Sequence, residues 1–471
     1  MRAPRTVSIG AALTLTVALM PGAVSADEQT QPDYEIDWDQ VAAEIAEVEQ
    51  ATGQEVMSGE IAGAAWIAQV PENWNGDLVI YAHGYRGEGL DLTVDAPPAY
   101  QFLTASGYAW AASSYRRNSY DPGIGVVDTK NLTRHLQAML RPDGLDKSYL
   151  IGFSMGGHVT AAAIERYPKF WDGAMPACGV LGDVELFDYF LDYNVGAAAY
   201  AGLSPDYAFP DPNWLANTVP QIKSGLSFAP DGDVNGPSPF VNLSWAGGFP
   251  RIFSPVPSPL NAAGQAFKEF VEVGTGGDRV TFDAAWEYWH GIDAPAGEFF
   301  FEIAQGDGTI ANRSGTVGQN SDITYAQEYG PEFGVIDDTV RRVTASNRVR
   351  NSNGLKPAIL INGTPSVPVL TIHTTGDLFV PIEMEQIYAR EVAANGRSDL
   401  LVQRAIRDIG HCTFTGAELV QAYTDLFTWV ETGVRPAGED LVADISSPTL
   451  GCEFTTGVGG SGLRAALAAC P

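Results

Sequence analysis

Short runs of uninterrupted apolar residues alternate with longer segments of helical period through the first third of the chain. "DWDQVAAEIAEVEQATG" (Asp37–Gly53) spaces its apolar positions as a helix does. "AGAAWIAQVPENWNGDLVIYAHGYRGEG" (62–89) reads as two strands joined by a Pro/Asn/Gly turn, the second ending at His83-Gly84. "YQFLTASGYAWAASSYRRNSY" (100–120) predicts a helix and then a strand. "VVDTKNLTRHLQAML" (126–140) predicts a helix that leads through "RPDGLDKS" into the apolar strand Tyr149-Leu150-Ile151. A helix over "GHVTAAAIER" (157–166) and a strand in "FWDGAMPACG" (170–179) follow. Because these strands are continuously apolar rather than alternating, they predict a mostly parallel sheet covered by helices on both faces.

The pattern breaks from Val180 to about Ser366, where Pro, Gly and aromatic residues dominate and helical pieces are confined to the neighbourhood of Phe267 and to "FDAAWEYWHGI". It returns with the strand "VPVLTIHTTGDLFVP" (367–381), the helix "EMEQIYAREVAANG", the strand "DLLVQRAI" and the helix "GAELVQAYTDLFTWVETG". The expected organisation is one sheet domain in two parts, 27–179 and 367–471, interrupted by a cap inserted over 180–366. No internal repeat is apparent.

Ahead of this domain, residues 1–26 combine Arg2 and Arg5, an apolar stretch to Met20 and the small residues Val24-Ser25-Ala26, which predicts an export signal cleaved after Ala26. Pro21-Gly22 interrupts the apolar core, and no other segment is long and apolar enough to span a bilayer. Cleavage would remove two arginines and no acids, moving the formal charge from −30 to −32. Such a surface disfavours nucleic acid and other polyanions as partners. The four cysteines, Cys178, Cys412, Cys452 and Cys470, have no zinc-site spacing. In an oxidising compartment they admit three complete pairings. Cys452 and Cys470 lie in a Gly-rich tail that would gain from a staple, and Cys178 is a candidate free thiol. Oligomeric state is left open.

The candidate chemistry sits at the end of "YLIGFSMGGHV" (149–159), where Ser154 stands between Gly152 and Gly156. With 51 glycines in 471 residues, a G-x-S-x-G match arises by chance about 0.3 times in a chain of this make-up, so its position between a strand and a helix is what makes it informative. A serine hydroxyl needs a base, and the base needs a carboxylate to fix its tautomer. Of the six histidines, His83 ends a strand, His135 and His158 lie in helices, His373 sits inside an apolar strand as core histidines do, and His290 falls in the insertion. His411, in "RDIGHCTFTGAE", lies in a loop between the last strand and the last long helix. For the acid, Asp377 closes the strand "VPVLTIHTTGD", on the edge where strand ends converge, whereas Asp408 shares the histidine's own loop and reads as a solvated turn residue.

These segments resemble α/β-hydrolases: "GFSMGG" is similar to that superfamily's nucleophile elbow, "YAHGYRGEG" to its oxyanion-hole loop, "HTTGDLFVP" to its acid loop and "IGHCTF" to its histidine loop, in the superfamily's order. The resemblance implies an α/β-hydrolase fold with a large cap inserted before the acid strand. It also implies a triad of Ser154, Asp377 and His411, and an oxyanion hole from the backbone N–H groups of Tyr85 and Met155, working without metal or cofactor. A cysteine directly after the base is also a feature of tannase- and feruloyl-esterase-like proteins, where a disulfide ties the histidine loop to the residue before the serine. Here Phe153 holds that place, so Cys412 must pair elsewhere.

The expected function is an exported serine esterase acting on a small-molecule or polymeric carboxylic ester. Trp286 and Trp289 are the expected substrate contacts, and Trp245, Phe249 and Tyr288 are further aromatics that could line an apolar pocket. An exo-peptidase of the prolyl or tripeptidyl aminopeptidase kind is the alternative: Glu287, Glu298 and Glu302 could hold a substrate amino terminus, although such proteins usually carry a G-G-S-Y-G elbow. A non-catalytic binding module would be expected to have lost a triad member, and none is lost.

Overall fold

A computed structural model describes residues 33–471 apart from 142–143, 212, 229–259, 291–292, 295–296, 299, 302–308, 311–312, 351–358 and 458–461. The expected signal segment, Trp245, Phe249 and Glu302 lie outside the described residues, as do the side chains of His290 and Glu298.

Eight strands form the central sheet: β1 (Val56–Ile61), β2 (Ala64–Gln69), β3 (Leu78–Ala82), β4 (Ala109–Ser113), β5 (Ser148–Phe153), β6 (Gly173–Ala177), β7 (Val369–Thr374) and β8 (Leu401–Ile406). Their order is β1-β2-β4-β3-β5-β6-β7-β8. β2 runs antiparallel to both of its neighbours, and every other pairing is parallel. β1 departs from the sequence expectation, since "VMSGEI" is neither an apolar run nor long enough to show a period. It forms because Gly59 leaves room for the Trp66 indole, which a Cβ there would approach to 2.8 Å.

The continuous apolar runs of the inner strands are explained by two buried faces. Leu78, Ile80 and Ala82 of β3 point into a core shared with α3 (Pro122–Leu140), α4 (Met155–Arg166) and the insertion. Val79 and Tyr81 point the other way, against Val41 and Val48 of α1 (Trp38–Thr52) and Tyr423, Leu426 and Phe427 of the last long helix (Gly416–Thr432). Helix ends follow local chemistry. Asp37 caps α1 by accepting from Asp39 N and Gln40 N, and Gly53 closes it at φ 70°.

Within the insertion lie α5 (Glu185–Tyr200), α6 (Val219–Leu226), α7 (Ala262–Gly274) and α8 (Phe282–His290). The last two coincide with the predicted helical pieces, whereas α5 was not anticipated. Twelve of its sixteen residues are buried, Asp188, Tyr189, Asp192 and Asn194 among them, so no polar stripe marks a helical period. The departing and returning chain are bound together: Asp183 Oδ2 accepts from Ile361 N at 2.9 Å. Asp188 takes a two-pronged contact from Arg350, at 2.6 and 2.7 Å, and accepts from Gln319 N.

Both members of the Asp188–Arg350 pair are nearly sealed from solvent. Removing one charge leaves the other buried without its counter-ion, so Arg350→Leu should lower unfolding free energy by about 3–5 kcal/mol, readable as a fall in the urea midpoint.

Candidate functional site

Parallel pairing sends the C-terminal ends of β3, β5, β6, β7 and β8 to one edge of the sheet, and the loops that leave this edge build the site. At the end of β5 the chain reverses into α4 through Ser154, whose backbone sits at φ 60°, ψ −122°, a region that L-residues rarely occupy. The surrounding glycines are required by contact. A Cβ on Gly152 would lie 2.0 Å from Gly156 O, one on Gly156 would lie 1.9 Å from Ala82 O, and one on Gly157 would lie 2.5 Å from the Gly179 Cα. Ser154 N donates to Ala177 O of β6 at 3.0 Å, locking the turn to its neighbour.

An eight-stranded sheet in this order, with one antiparallel strand near one end and a positive-φ serine on the strand-to-helix turn of β5, decides the architecture. The chain has the α/β-hydrolase fold. As in that fold, the acid and the histidine arrive on the loops after β7 and β8. His411 Nε2 accepts from Ser154 Oγ at 2.8 Å, and His411 Nδ1 donates to Asp377 Oδ2 at 2.5 Å. The three residues predicted from sequence are thus brought together, His411 and Asp377 from 34 positions apart and His411 and Ser154 from 257. The His411 side chain is 13% exposed, whereas that of Asp377 is 0% exposed. The other carboxylate oxygen, Oδ1, accepts from Phe379 N and Val380 N, so the loop's own backbone orients the acid.

Gly84 packs directly on the serine: a Cβ there would lie 3.2 Å from Ser154 Cβ and 3.7 Å from Ser154 Oγ. This sets the Gly84–Tyr85 peptide alongside the hydroxyl. Met155 opens α4, where a backbone N–H has no carbonyl a turn earlier to bond. The Gly84–Tyr85 peptide and the first residue of α4 therefore lie beside Ser154.

The two expected substrate contacts fare differently. Trp286 is fully buried, ringed by Phe267, Phe282 and Phe228 at 6.1–6.3 Å between ring centres, and belongs to the interior of the insertion rather than to a pocket wall. Trp289 is 5% exposed and turns its indole N–H to the loops of the site, donating to Gly376 O at 3.1 Å and to Ile409 O at 2.9 Å.

Asp408 is corrected too. It is not a solvated turn acid. Its Oδ2 accepts from Arg464 Nε at 2.6 Å, its Oδ1 accepts from Ile409 N and Gly410 N, and the residue is buried. Arg464 also binds Glu418, which caps the last long helix with Thr415, so the tail is bolted beneath the histidine loop. Cys452–Cys470 supplies the expected staple in that tail, and Cys412 pairs with Cys178, which is therefore no free thiol. Cys178 directly follows Ala177, the carbonyl partner of Ser154 N. The histidine loop is thereby joined to the strand next to the elbow even though Phe153 precedes the serine. Cys178, Cys412 and His411 lie within 4.8 Å of one another, but the two sulfurs are bonded to each other and not free for a metal.

The remaining described histidines are structural. His83 contacts Gly84 O and Ser114 O and stacks on Tyr115, and the His135 ring packs on Trp66. His373 turns Nε2 to Val380 O and Nδ1 to Glu385, which also accepts from Thr371 and Gln403. With an acceptor on each nitrogen the imidazolium is the form that fits. Burial pulls its pKa down, but the Glu385 hydrogen bond and charge, aided by Asp377 at 4.0 Å, hold it above the ordinary histidine value. His158, one turn after Ser154, accepts from Tyr120 OH at 2.8 Å and donates to Ile359 O at 2.5 Å.

No protein-family model matches the chain. The o-phthalyl amidase of Xanthobacter agilis is 24% identical over 441 residues, covering 83% of this chain and 91% of that protein. Among solved structures, feruloyl esterase B from Aspergillus oryzae aligns with a TM-score of 0.44 at 14% identity, over 81% of this chain and 82% of its own. Candida antarctica lipase A in its closed state aligns with a TM-score of 0.41 at 16% identity, over 89% and 87%. Among the described residues no helix is long and apolar enough to cross a membrane.

Burial pulls the pKa of His158 down to about 4. In the unfolded chain the same ring takes up a proton near pH 6.5. The neutral ring's contribution to stability is therefore present above about pH 6.5 and is lost as pH falls toward 4. The urea midpoint of wild type should exceed that of His158→Gln at pH 7.5, and the gap should close between pH 6.5 and 4. A gap that is constant over this range would contradict a buried neutral ring.

Proposed function

We propose that the α/β-hydrolase-fold chain is an exported serine hydrolase that cleaves carboxylic esters through an acyl-enzyme on Ser154. The observation that carries this reading is the continuous hydrogen-bonded relay from the Ser154 hydroxyl through His411 to a fully buried Asp377. His411 Nε2 takes the serine proton as Oγ attacks the ester carbonyl, while Asp377 holds the Nδ1–H tautomer and stabilises the imidazolium. The Tyr85 and Met155 amides receive the negative charge that develops on the carbonyl oxygen. His411 then gives its proton to the departing alcohol. Water, deprotonated by the same ring, releases the acid and restores Ser154. The leader at residues 1–26 and two disulfides support an extracellular location.

A second reading, an amide substrate, is favoured by the relative's printed activity, amide cleavage by o-phthalyl amidase, over most of both chains. The same relay serves it, provided the departing nitrogen is placed to receive the proton from His411. The narrower exo-peptidase form of this reading depended on Glu287, Glu298 and Glu302, of which the described side chains include Glu287 alone.

Nitrophenyl esters of graded acyl length, assayed beside acyl nitroanilides, separate the two. The ester reading predicts turnover of the esters with the anilides at least about tenfold poorer in kcat/KM; the reverse order assigns the site to amides. In either case Ser154→Ala or His411→Ala should lower kcat by at least about 10³-fold with folding retained. Asp377→Asn should lower it less than either, and Asp408→Asn should act mainly on thermal stability. If Asp408→Asn reduced kcat more than Asp377→Asn, the acid would be misassigned.

A further inference from the structure

The insertion is expected from sequence to be a cap whose Trp286 and Trp289 contact substrate. Its hydrogen bonds do something else. Around Asp377, the carbonyls of three residues accept from three side chains of the insertion. Thr375 O accepts from Arg279 Nε at 2.6 Å, Gly376 O from Trp289 Nε1 at 3.1 Å, and Leu378 O from Tyr189 OH at 2.9 Å. Thr281 Oγ1 adds a bond to Thr375 Oγ1 at 3.0 Å. Arg279, Tyr189 and Trp289 are all at most 5% exposed, so water does not compete for these carbonyls.

Trp289 differs from the others because its single N–H lies between acceptors on two loops, Gly376 O next to Asp377 and Ile409 O two residues before His411. An indole N–H can only donate, and its ring is rigid. A donor shared in this way fixes the distance between the loop that carries the acid and the loop that carries the base. Phe379 continues the contact, with its ring 6.5 Å from that of Trp289 on one side and 5.1 Å from that of His411 on the other. The Asp377–His411 bond works only in a narrow range of separation and angle, and a shift of an ångström in such a pair is worth about 10²-fold in rate.

We propose that Trp289 is a positioning residue that holds the acid and histidine loops in register, so that the insertion is a working part of the hydrolytic relay rather than a selectivity roof alone. This rests on the serine-hydrolase reading above. Trp289 acts through Gly376 and Ile409 without touching the reacting atoms. Its loss should slow acylation of Ser154 by every substrate alike.

Trp289→Phe removes the N–H and keeps most of the ring. Trp214→Phe is the matched control, since Trp214 is also buried in the insertion and gives up an indole bond to Asn194 Oδ1. For each, kcat and KM on a short and a long acyl ester, the rate of fluorophosphonate labelling at Ser154 and the melting temperature are measured. Trp289→Phe should lose about 10- to 100-fold in kcat and in labelling rate, with KM and the ratio between esters within about twofold of wild type. Trp214→Phe should melt earlier by a similar amount yet keep its kcat. Tyr189→Phe, which deletes the bond to Leu378 O and is less able to disturb packing, should lose kcat in the same pattern to a smaller extent. The inference is overturned if Trp289→Phe keeps wild-type kcat, if the ratio between esters changes, or if both tryptophan variants lose activity in step with stability. A wild-type protein that neither turns over acyl substrates nor labels at Ser154 would overturn the hydrolase reading itself. A labelling wild type with an undisturbed Trp289→Phe would remove this inference alone.

Discussion

The site depends on one backbone constraint: Ser154 must turn a buried strand into a buried helix within a single residue. Its positive φ is unfavourable by about 1–3 kcal/mol and persists because every neighbour that could relax it is already in contact. Gly156 lies against Ala82, Gly157 against Gly179 and Gly152 against Gly156. The result is a hydroxyl held at the edge of the sheet with an amide on the next residue and the Gly84–Tyr85 peptide at its side. The spacing of β3, β5 and β6 therefore sets the position of the Ser154 hydroxyl.

His411 has no such backing, because it stands on a loop. Four separate supports compensate. The Cys178–Cys412 bridge ties the loop to the end of β6, the Asp408–Arg464 pair fixes it to the tail, Trp289 links it to the acid loop, and Thr374 Oγ1 donates to Gly410 O at 2.7 Å. Asp377 is held from below as well. His373, whose pKa burial lowers but the Glu385 hydrogen bond and charge hold above the ordinary histidine value, lies 4.0 Å from Asp377, beneath a carboxylate that solvent cannot reach. A histidine that reads as a satisfied core residue is therefore also an electrostatic neighbour of the relay.

What could be read from the sequence divides along the range of the interactions involved. The inner strands, α3, α4 and the relay residues were legible because local patterns specify them: apolar runs for strands buried on both faces, and glycines at fixed offsets from a serine. β1 was missed because its pairing rests on the meeting of Gly59 with Trp66. α5 was missed because a helix buried almost all round carries no polar stripe. The role of Asp408 was misread because the partner that removes it from solvent is 56 positions away in the chain. Trp286 and Trp289 look alike in sequence, three residues apart on one helix, yet one faces the interior of the insertion and the other faces the loops that carry Asp377 and His411. Only the packing of α8 against the sheet edge separates them.

The Cys178–Cys412 bridge has a consequence for the covalent topology of the chain. Its half-cystines are 234 positions apart, and the whole insertion, 180–366, lies between them. The chain is thus a closed ring with a tail at each end, and the ring contains the insertion, β7 and β8. Closing a ring of that size removes freedom from the unfolded chain worth about 5 kcal/mol in the chain-entropy picture. A peptide bond broken anywhere in the insertion opens the ring without producing two molecules. The elbow on one side of the cut and the acid and histidine loops on the other remain covalently joined at the site itself, so a nicked protein keeps its relay together as long as the bridge stays oxidised.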